Sequence, residues 1–380
     1  MKINVLELVG DHGGMNIYDK NLGNVLSALD CEVDFFTYGL DIGDSNNVKF
    51  RIIEAFNGIY SKNILKKIIH SIKGLLILLT RCASRRNSIA WANIYTFSLF
   101  EYVCMFLMYI SNKKLIVTIH DISSFVDYEK KEKADYRFLN KMVALYVVHN
   151  NYSKELLSKY TNKKIAVMND LSYEELPETI SPSLSRKKIG LKEDVIIISF
   201  IGQIKNVKGV DVLIRAISEM KQEKDKIKVM IAGKFWKQDR GKYINLIEKL
   251  GVSDMILLKE GYIDQVQYPL YFWASDIVVL PYKIIYNSAV LVQALGYGST
   301  VVCSDLAPFR EFVDRNINKP MVKFFTSEDS KDLSDKLMML VNNDKLREEL
   351  KRNSRDFIVK EYSFENYKKY INNVIKLVKE

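Results

Sequence analysis

Three strand-to-helix turns carry the residues best suited to chemistry. Phe200-Ile201-Gly202-Gln203-Ile204-Lys205-Asn206-Val207-Lys208-Gly209 leaves an apolar strand and enters a helix. Gly202 permits a tight turn, and Lys208 near the helix start can reach a phosphate where the helix dipole is positive. A solvated lysine in a turn is the plainer account of the same residues. Leu280-Pro281 leads through Tyr282 to Asn287 into Ser288-Ala289-Val290-Leu291-Val292-Gln293. Ser288 is a good N-cap, the amides of Ala289, Val290 and Leu291 would form an anion-binding nest, and Gln293 can hydrogen-bond a sugar hydroxyl. An ordinary capped helix explains that run too.

The third turn lies in the first half, where Gly13 and Gly14 follow the first strand and allow a ligand to approach the backbone. His120 ends the strand Leu115–Ile119, where an imidazole can donate a hydrogen bond or act as acid or base near neutral pH. A lone histidine is more often structural, and His149, after the next strand, is a weaker candidate.

These turns need a scaffold, and the chain alternates short apolar strands with amphipathic helices, the pattern of parallel α/β sheets. In such sheets ligands sit at the carboxyl ends of strands. At 380 residues, two domains are expected, each with its own core. Residues 1–170 read as a first Rossmann-like domain and 171–188, with Pro177, Ser181, Pro182 and Ser183, as a linker. Residues 189–355 read as a second Rossmann-like domain and 356–380 as a closing helix.

The opening Met1-Lys2-Ile3-Asn4-Val5-Leu6-Glu7-Leu8-Val9 reads as a buried strand, Ile3–Val9, too short and interrupted for a secretory signal. The four cysteines, Cys31, Cys82, Cys104 and Cys303, are far apart and fit small buried side chains in a reducing cytoplasm. Ile89 to Ile110 carries one charge, Glu101, and approaches the length of a membrane span; a strand followed by a buried helix is the preferred reading.

Taken together, the second half resembles the retaining glycosyltransferases of family 4, which have the GT-B fold. The family's G-R-L-x-x-x-K-G pattern corresponds to Gly202-Gln203-Ile204-Lys205-Asn206-Val207-Lys208-Gly209, with Gln203 at the arginine. Val229-Met230-Ile231-Ala232-Gly233, Gly261-Tyr262-Ile263, Leu280-Pro281, Gly298 and Ser304-Asp305 through Glu311 also fit, as does Tyr362-Ser363-Phe364-Glu365 at the closing helix. The family's paired glutamates, E-x7-E, fall on Ile285 and Gln293. Some branches carry a Ser-Gly pair in this loop instead of the first glutamate, and Ser288-Ala289 looks like that version.

The resemblance implies two doubly wound domains facing a central cleft, with the C-terminal helix crossing back to the first. It implies transfer of a sugar, with retention, from a nucleotide diphospho-sugar co-substrate, without other cofactor and without metal, for no D-x-D occurs. The catalytic residues would be His120 and Lys208. Donor-binding residues would be Gly13, Gly14, Gly202, Gln203, Lys208, Tyr262, Ile263, Ser288, Ala289, Val290, Leu291 and Gln293, with Lys205 or Lys283 supplying the charge that Gln203 lacks. Rival readings are a non-catalytic scaffold of the same fold and a nucleotide-sugar epimerase.

The formal charge of +10 is shared by the two halves, since through Asp170 there are 22 basic and 17 acidic residues. From Ser61 to Ser88 lie Lys62, Lys66, Lys67, Lys73, Arg81, Arg85 and Arg86 and no acid, around an apolar stripe at helical spacing. Either this helix lies on an anionic membrane leaflet or its basic face is simply solvated over an ordinary core helix. On the first reading, the acceptor is a lipid-linked saccharide of a bacterial-type surface glycan, and the protein is cytoplasmic and peripheral on the inner face of the membrane. No nucleic-acid-binding signature is visible.

Overall fold

A computed structural model describes residues 1–9, 15–40, 50–85, 87–95, 97–112, 114–123, 135–174, 179–191, 195–236, 239–264 and 267–380. Contacts group Met1–Glu174 with Tyr362–Glu380 as one unit and Glu175–Glu361 as the other.

The first unit contains β1 (Lys2–Leu6), α1 (Met15–Ala28), β2 (Glu32–Phe36), β3 (Arg51–Ile53), α2 (Ile64–Ser84), β4 (Ile89–Ile94) and α3 (Leu99–Asn112). It continues with β5 (Leu115–Ile119), α4 (Tyr136–Leu139), β6 (Val143–Val148), α5 (Asn151–Ser158) and β7 (Lys164–Val167). Its sheet is parallel in the order β3-β2-β1-β4-β5-β6-β7. Strand order reverses between β1 and β4, so their carboxyl ends flank the crevice where such sheets take ligands. The central strands are mostly apolar because both faces are covered: all six residues of β4 and all five of β5 are buried, Asn93 and Thr118 among them.

The second unit holds α6 (Pro182–Lys188), β8 (Ile196–Ile201), α7 (Val210–Ser218), β9 (Ile227–Gly233), α8 (Arg240–Leu250), β10 (Ile256–Glu260) and α9 (Tyr268–Trp273). Then come β11 (Ile277–Leu280), α10 (Ala289–Gly296), β12 (Thr300–Ser304), α11 (Ala307–Asp314), β13 (Val322–Phe325), α12 (Ser330–Val341) and α13 (Asp344–Glu361). Its parallel order is β10-β9-β8-β11-β12-β13, with the reversal between β8 and β11. The stretch read as linker contains α6, started by the Ser181 cap and Pro182 in the first turn. Arg186 on α6 is buried and paired to Asp276 at 2.5 Å.

The last helix, α14 (Phe364–Lys379), returns to the first unit. Tyr367, Ile371, Val374, Ile375 and Val378 form its buried stripe, and its neighbour is α1. Tyr367 Oη donates to the Tyr173 carbonyl at 3.1 Å and Asn169 Nδ2 donates to Tyr370 Oη at 3.1 Å.

One expectation changes. The 89–110 segment is a buried strand and then a helix, but α3 is not buried all round: Leu99, Val103, Phe106 and Ile110 are exposed, Leu99 by 80%. Among the described residues no helix is long and apolar enough to cross a membrane. All four cysteines are buried thiols.

Candidate functional site

In the second unit, the carboxyl ends of β8, β9 and β10 each finish on a glycine with positive φ: Gly202 at 130°, Gly233 at 147° and Gly261 at 138°. Side chains are excluded there by backbone packing, since a Cβ on Gly233 would lie 1.9 Å from the Gly202 carbonyl oxygen. A Cβ on Gly202 would lie 4.0 Å from Val290 Cγ2, so the β8 turn and the start of α10 are neighbours.

The β8 turn and the loop after β11 are zipped together. The Lys283 amide donates to the Val207 carbonyl at 2.9 Å. A short 3₁₀ turn, Asn206–Lys208, stands between Lys205 and α7. From it the Lys208 ammonium reaches to 3.8 Å from the Tyr282 ring centroid. The Tyr282 phenol in turn hydrogen-bonds with Ser288, and burial pushes its pKa up, so it keeps its proton. Ser288 caps α10 as expected, but its oxygen accepts from the Leu291 amide at 3.2 Å. The expected nest therefore reduces to Ala289 and Val290, because the cap already uses the Leu291 N–H.

The remaining donor candidates divide. Gln293 is buried on α10, and Gln203 is half-buried beside Gly202. Tyr262 is exposed, whereas the Ile263 side chain packs on the core of Ile197, Met230 and Ala232. Of the two lysines proposed to replace the family arginine, Lys283 is committed to Asp211 at 2.9 Å. Lys205 lies over the Trp236 ring at 4.7 Å. Ile285, at the first glutamate position, is a buried apolar side chain.

The first unit places a second group at its own strand reversal. His120, 7% exposed, follows β5; its ring stacks on Tyr95 at 4.2 Å and meets Tyr18 of α1 edge-on at 4.8 Å. His120 Nδ1 is 3.1 Å from His149 Nε2, and His149 Nδ1 is 3.1 Å from the Met168 carbonyl oxygen. Burial, then the neighbouring His149, holds the His120 pKa well below its usual value, so the ring is a neutral imidazole. Beneath it, Asp19 of α1 hydrogen-bonds with Glu7 after β1 and accepts from Asn93 Nδ2 at 3.2 Å. Burial and then the Glu7 charge raise the Asp19 pKa well above the carboxylate range, so this pair retains a proton. Gly13 and Gly14 lie outside the described residues. The sequence reading missed Tyr95, Glu7 and Asp19. Their signal was their place at the ends of β1 and β4 and on the helix between, which needs the strand order to be seen.

The family described as glycosyl transferases group 1 matches residues 183–357, which contain the whole Gly202–Lys208–Ser288 arrangement. This match and the relatives below are what the second unit is similar to. An uncharacterized glycosyltransferase of Methanocaldococcus jannaschii is 26% identical over 196 residues, 51% of this chain and 48% of that one. The chain thus spans about half the length of that relative. The D-inositol 3-phosphate glycosyltransferase of Corynebacterium aurimucosum is 24% identical over 324 residues, covering 78% of this chain and 75% of its own. Among solved structures, Anabaena HepE in complex with UDP-glucose superposes with a TM-score of 0.73 at 14% identity, over 99% of both chains. The fold is therefore GT-B, with two Rossmann-like units.

In the first unit, the basic segment 61–88 is sorted by the structure. Lys62, Lys66, Lys67, Lys73 and Arg81 are exposed, and Arg86 lies outside the described residues. Arg85 does not belong to a membrane patch. At the end of α2 it is buried and paired with Glu32 at 2.8 Å and Asp34 at 3.1 Å. Only Gly74, Leu78 and Cys82 of α2 are buried, so its first half stands clear. Ile64, Leu65, Ile68, Ile69, Ile72 and Leu76 are exposed, Leu65 by 73%. The adjacent α3 adds the exposed Leu99, Val103, Phe106 and Ile110, so both helices carry large apolar side chains in solvent.

Proposed function

We propose that this protein is a glycosyltransferase of group 1 that moves a sugar from a nucleotide diphospho-sugar to an acceptor hydroxyl, with retention at the anomeric carbon. The observation carrying this reading is the Lys208 ammonium over the Tyr282 ring, beside the Ser288-capped start of α10. The chemical demand is charge on the departing diphosphate. Lys208 and the amides of Ala289 and Val290 offer preorganised positive ends for it, with no metal ion required in this scheme. Gln293 would hold the ribose and the backbone at Tyr262 and Ile263 the base, while the glycine strand ends let phosphate oxygens reach main-chain N–H groups. His120 would serve the sugar. A solved neighbour binds UDP-glucose, which favours a uridine nucleotide as the first donor to try.

The acceptor is proposed to be a lipid-linked saccharide of a surface glycan, met at the cytoplasmic face of the membrane. Support comes from the apolar face of α2 and α3 and from five exposed basic side chains on a segment with no acid. That combination fits an anionic bilayer, where apolar burial and attraction to headgroups add.

The decisive experiment screens UDP-, GDP-, ADP- and CMP-sugars for thermal stabilisation and then measures sugar transfer or hydrolysis, with Lys208→Ala beside the wild type. Stabilisation by one nucleotide and a loss of about 100-fold in turnover for Lys208→Ala are expected. Unchanged turnover in the variant removes the phosphate assignment. Flotation with vesicles containing anionic lipid tests the membrane part; no vesicle binding, or self-association in its place, overturns it.

A further inference from the structure

We propose that His149 is a positioning residue: it takes the Nδ1 proton of His120 in a hydrogen bond and leaves His120 Nε2 as a bare acceptor, fitted to a ligand hydroxyl. This rests on the transferase reading above only for the name of the ligand, a sugar. The tautomers follow from the contacts themselves.

The hydrogen-bond chain starts at Met168. A carbonyl oxygen can only accept, so His149 Nδ1 carries a proton and donates to it across 3.1 Å. In a ring holding one proton, His149 Nε2 is then an acceptor. Its partner at 3.1 Å is His120 Nδ1, which must donate. The single proton of His120 is thereby placed on Nδ1, and Nε2 is left with a lone pair. Among the described residues that nitrogen is buried without a hydrogen-bond partner, on a side chain 7% exposed. The Tyr95 hydroxyl, on the ring stacked against His120, is also buried without a partner among the described residues. Burial keeps Tyr95 protonated, so it can donate.

Two unpaired buried atoms, one an obligate acceptor and one able to donate, define the group that satisfies them. A hydroxyl donates to Nε2 and accepts from Tyr95 Oη. A phosphate or carboxylate oxygen cannot, because it would set lone pair against lone pair at Nε2. The first-unit group therefore selects polyol chemistry, while the anion-binding elements lie in the second unit. His120 is in this state unable to donate a proton at Nε2, which narrows the range of roles open to it from the sequence.

The test is long-range ¹H–¹⁵N correlation on the full chain labelled at histidine, with His120→Ala for assignment. The wild type should show both rings as Nδ1–H tautomers with bare Nε2, and the His120 Nε2 resonance should not move when inorganic phosphate is added. In His149→Phe the single tautomer of His120 should give way to a mixture, and His149→Gln, whose side-chain carbonyl can accept again, should restore it. An Nε2–H tautomer at His120, a doubly protonated His149, a His149→Phe spectrum like the wild type, or a phosphate-induced shift overturns the proposal. If the expected spectrum is found in a protein that transfers no sugar, the function reading falls and the tautomer chain stands.

Discussion

Gly209 and Pro281 approach so closely that a Cβ on Gly209 would sit 1.7 Å from the Pro281 carbonyl oxygen. Gly209 also has φ 65°, which L side chains rarely adopt. The turn that carries Lys208 is thus held against the loop after β11 by a contact only glycine permits. Gly209→Ala should lower stability by about 3 kcal/mol, at the upper end of ordinary point mutants, and weaken nucleotide binding with it. Thermal unfolding with and without nucleotide reads both effects; an unchanged midpoint contradicts the packing argument.

Lys283 and Lys208 should separate cleanly. Lys283→Met leaves Asp211 without its 2.9 Å partner in a partly buried place, costing about 1–2 kcal/mol with little change in nucleotide affinity. Lys208→Met should do the reverse. Calorimetric titration of the nucleotide identified by the screen distinguishes them, and a large affinity loss in Lys283→Met would return that lysine to the phosphate site.

Asp19 ties stability to pH. Its pKa is raised in the fold, by burial and then by Glu7, so the native state holds a proton that the unfolded chain releases. That contribution is complete below the unfolded carboxyl value, about 4, and is lost as pH rises toward the folded value. Asp19→Asn can still donate to Glu7 and accept from Asn93 without ionising. The variant should match the wild type near pH 4 and melt higher at pH 8; melting curves that stay parallel across this range contradict the pair.

The two faces of α2 should respond oppositely. Leu78→Ala, at a fully buried position, should cost about 2–5 kcal/mol. Leu65→Glu and Ile69→Glu, on the exposed face, should leave the melting temperature nearly unchanged while reducing binding to anionic vesicles at least tenfold. Full vesicle binding by the double variant would show that the face has another use.

Central strands such as Leu115–Ile119 and Ile277–Leu280 were legible because burial on both faces leaves a run that is apolar but for Thr118. The edge strands Arg51–Ile53, Lys164–Val167 and Val322–Phe325 were not, being short and half-exposed. At the site, Lys208 and Ser288 could be read from local turn chemistry. The Tyr95–His120 stack could not, since it exists only because β4 pairs with β5, Ile94 beside Ile119. Arg85 shows the same limit from the other side: its segment lacks acids, yet Glu32 and Asp34 reach it from β2.

The return of α14 to the first unit sets an order of events during synthesis. Residues 175–361 can leave the ribosome and close their own sheet while the unit begun earlier still lacks the helix that covers α1. The half of the protein made first is thus finished last, and until Tyr367 reaches Tyr173 it exposes an apolar groove to whatever is nearby. Chaperone dependence in this chain should trace to its amino-terminal half, and deletions at its carboxyl end should unfold the unit farthest from them in sequence.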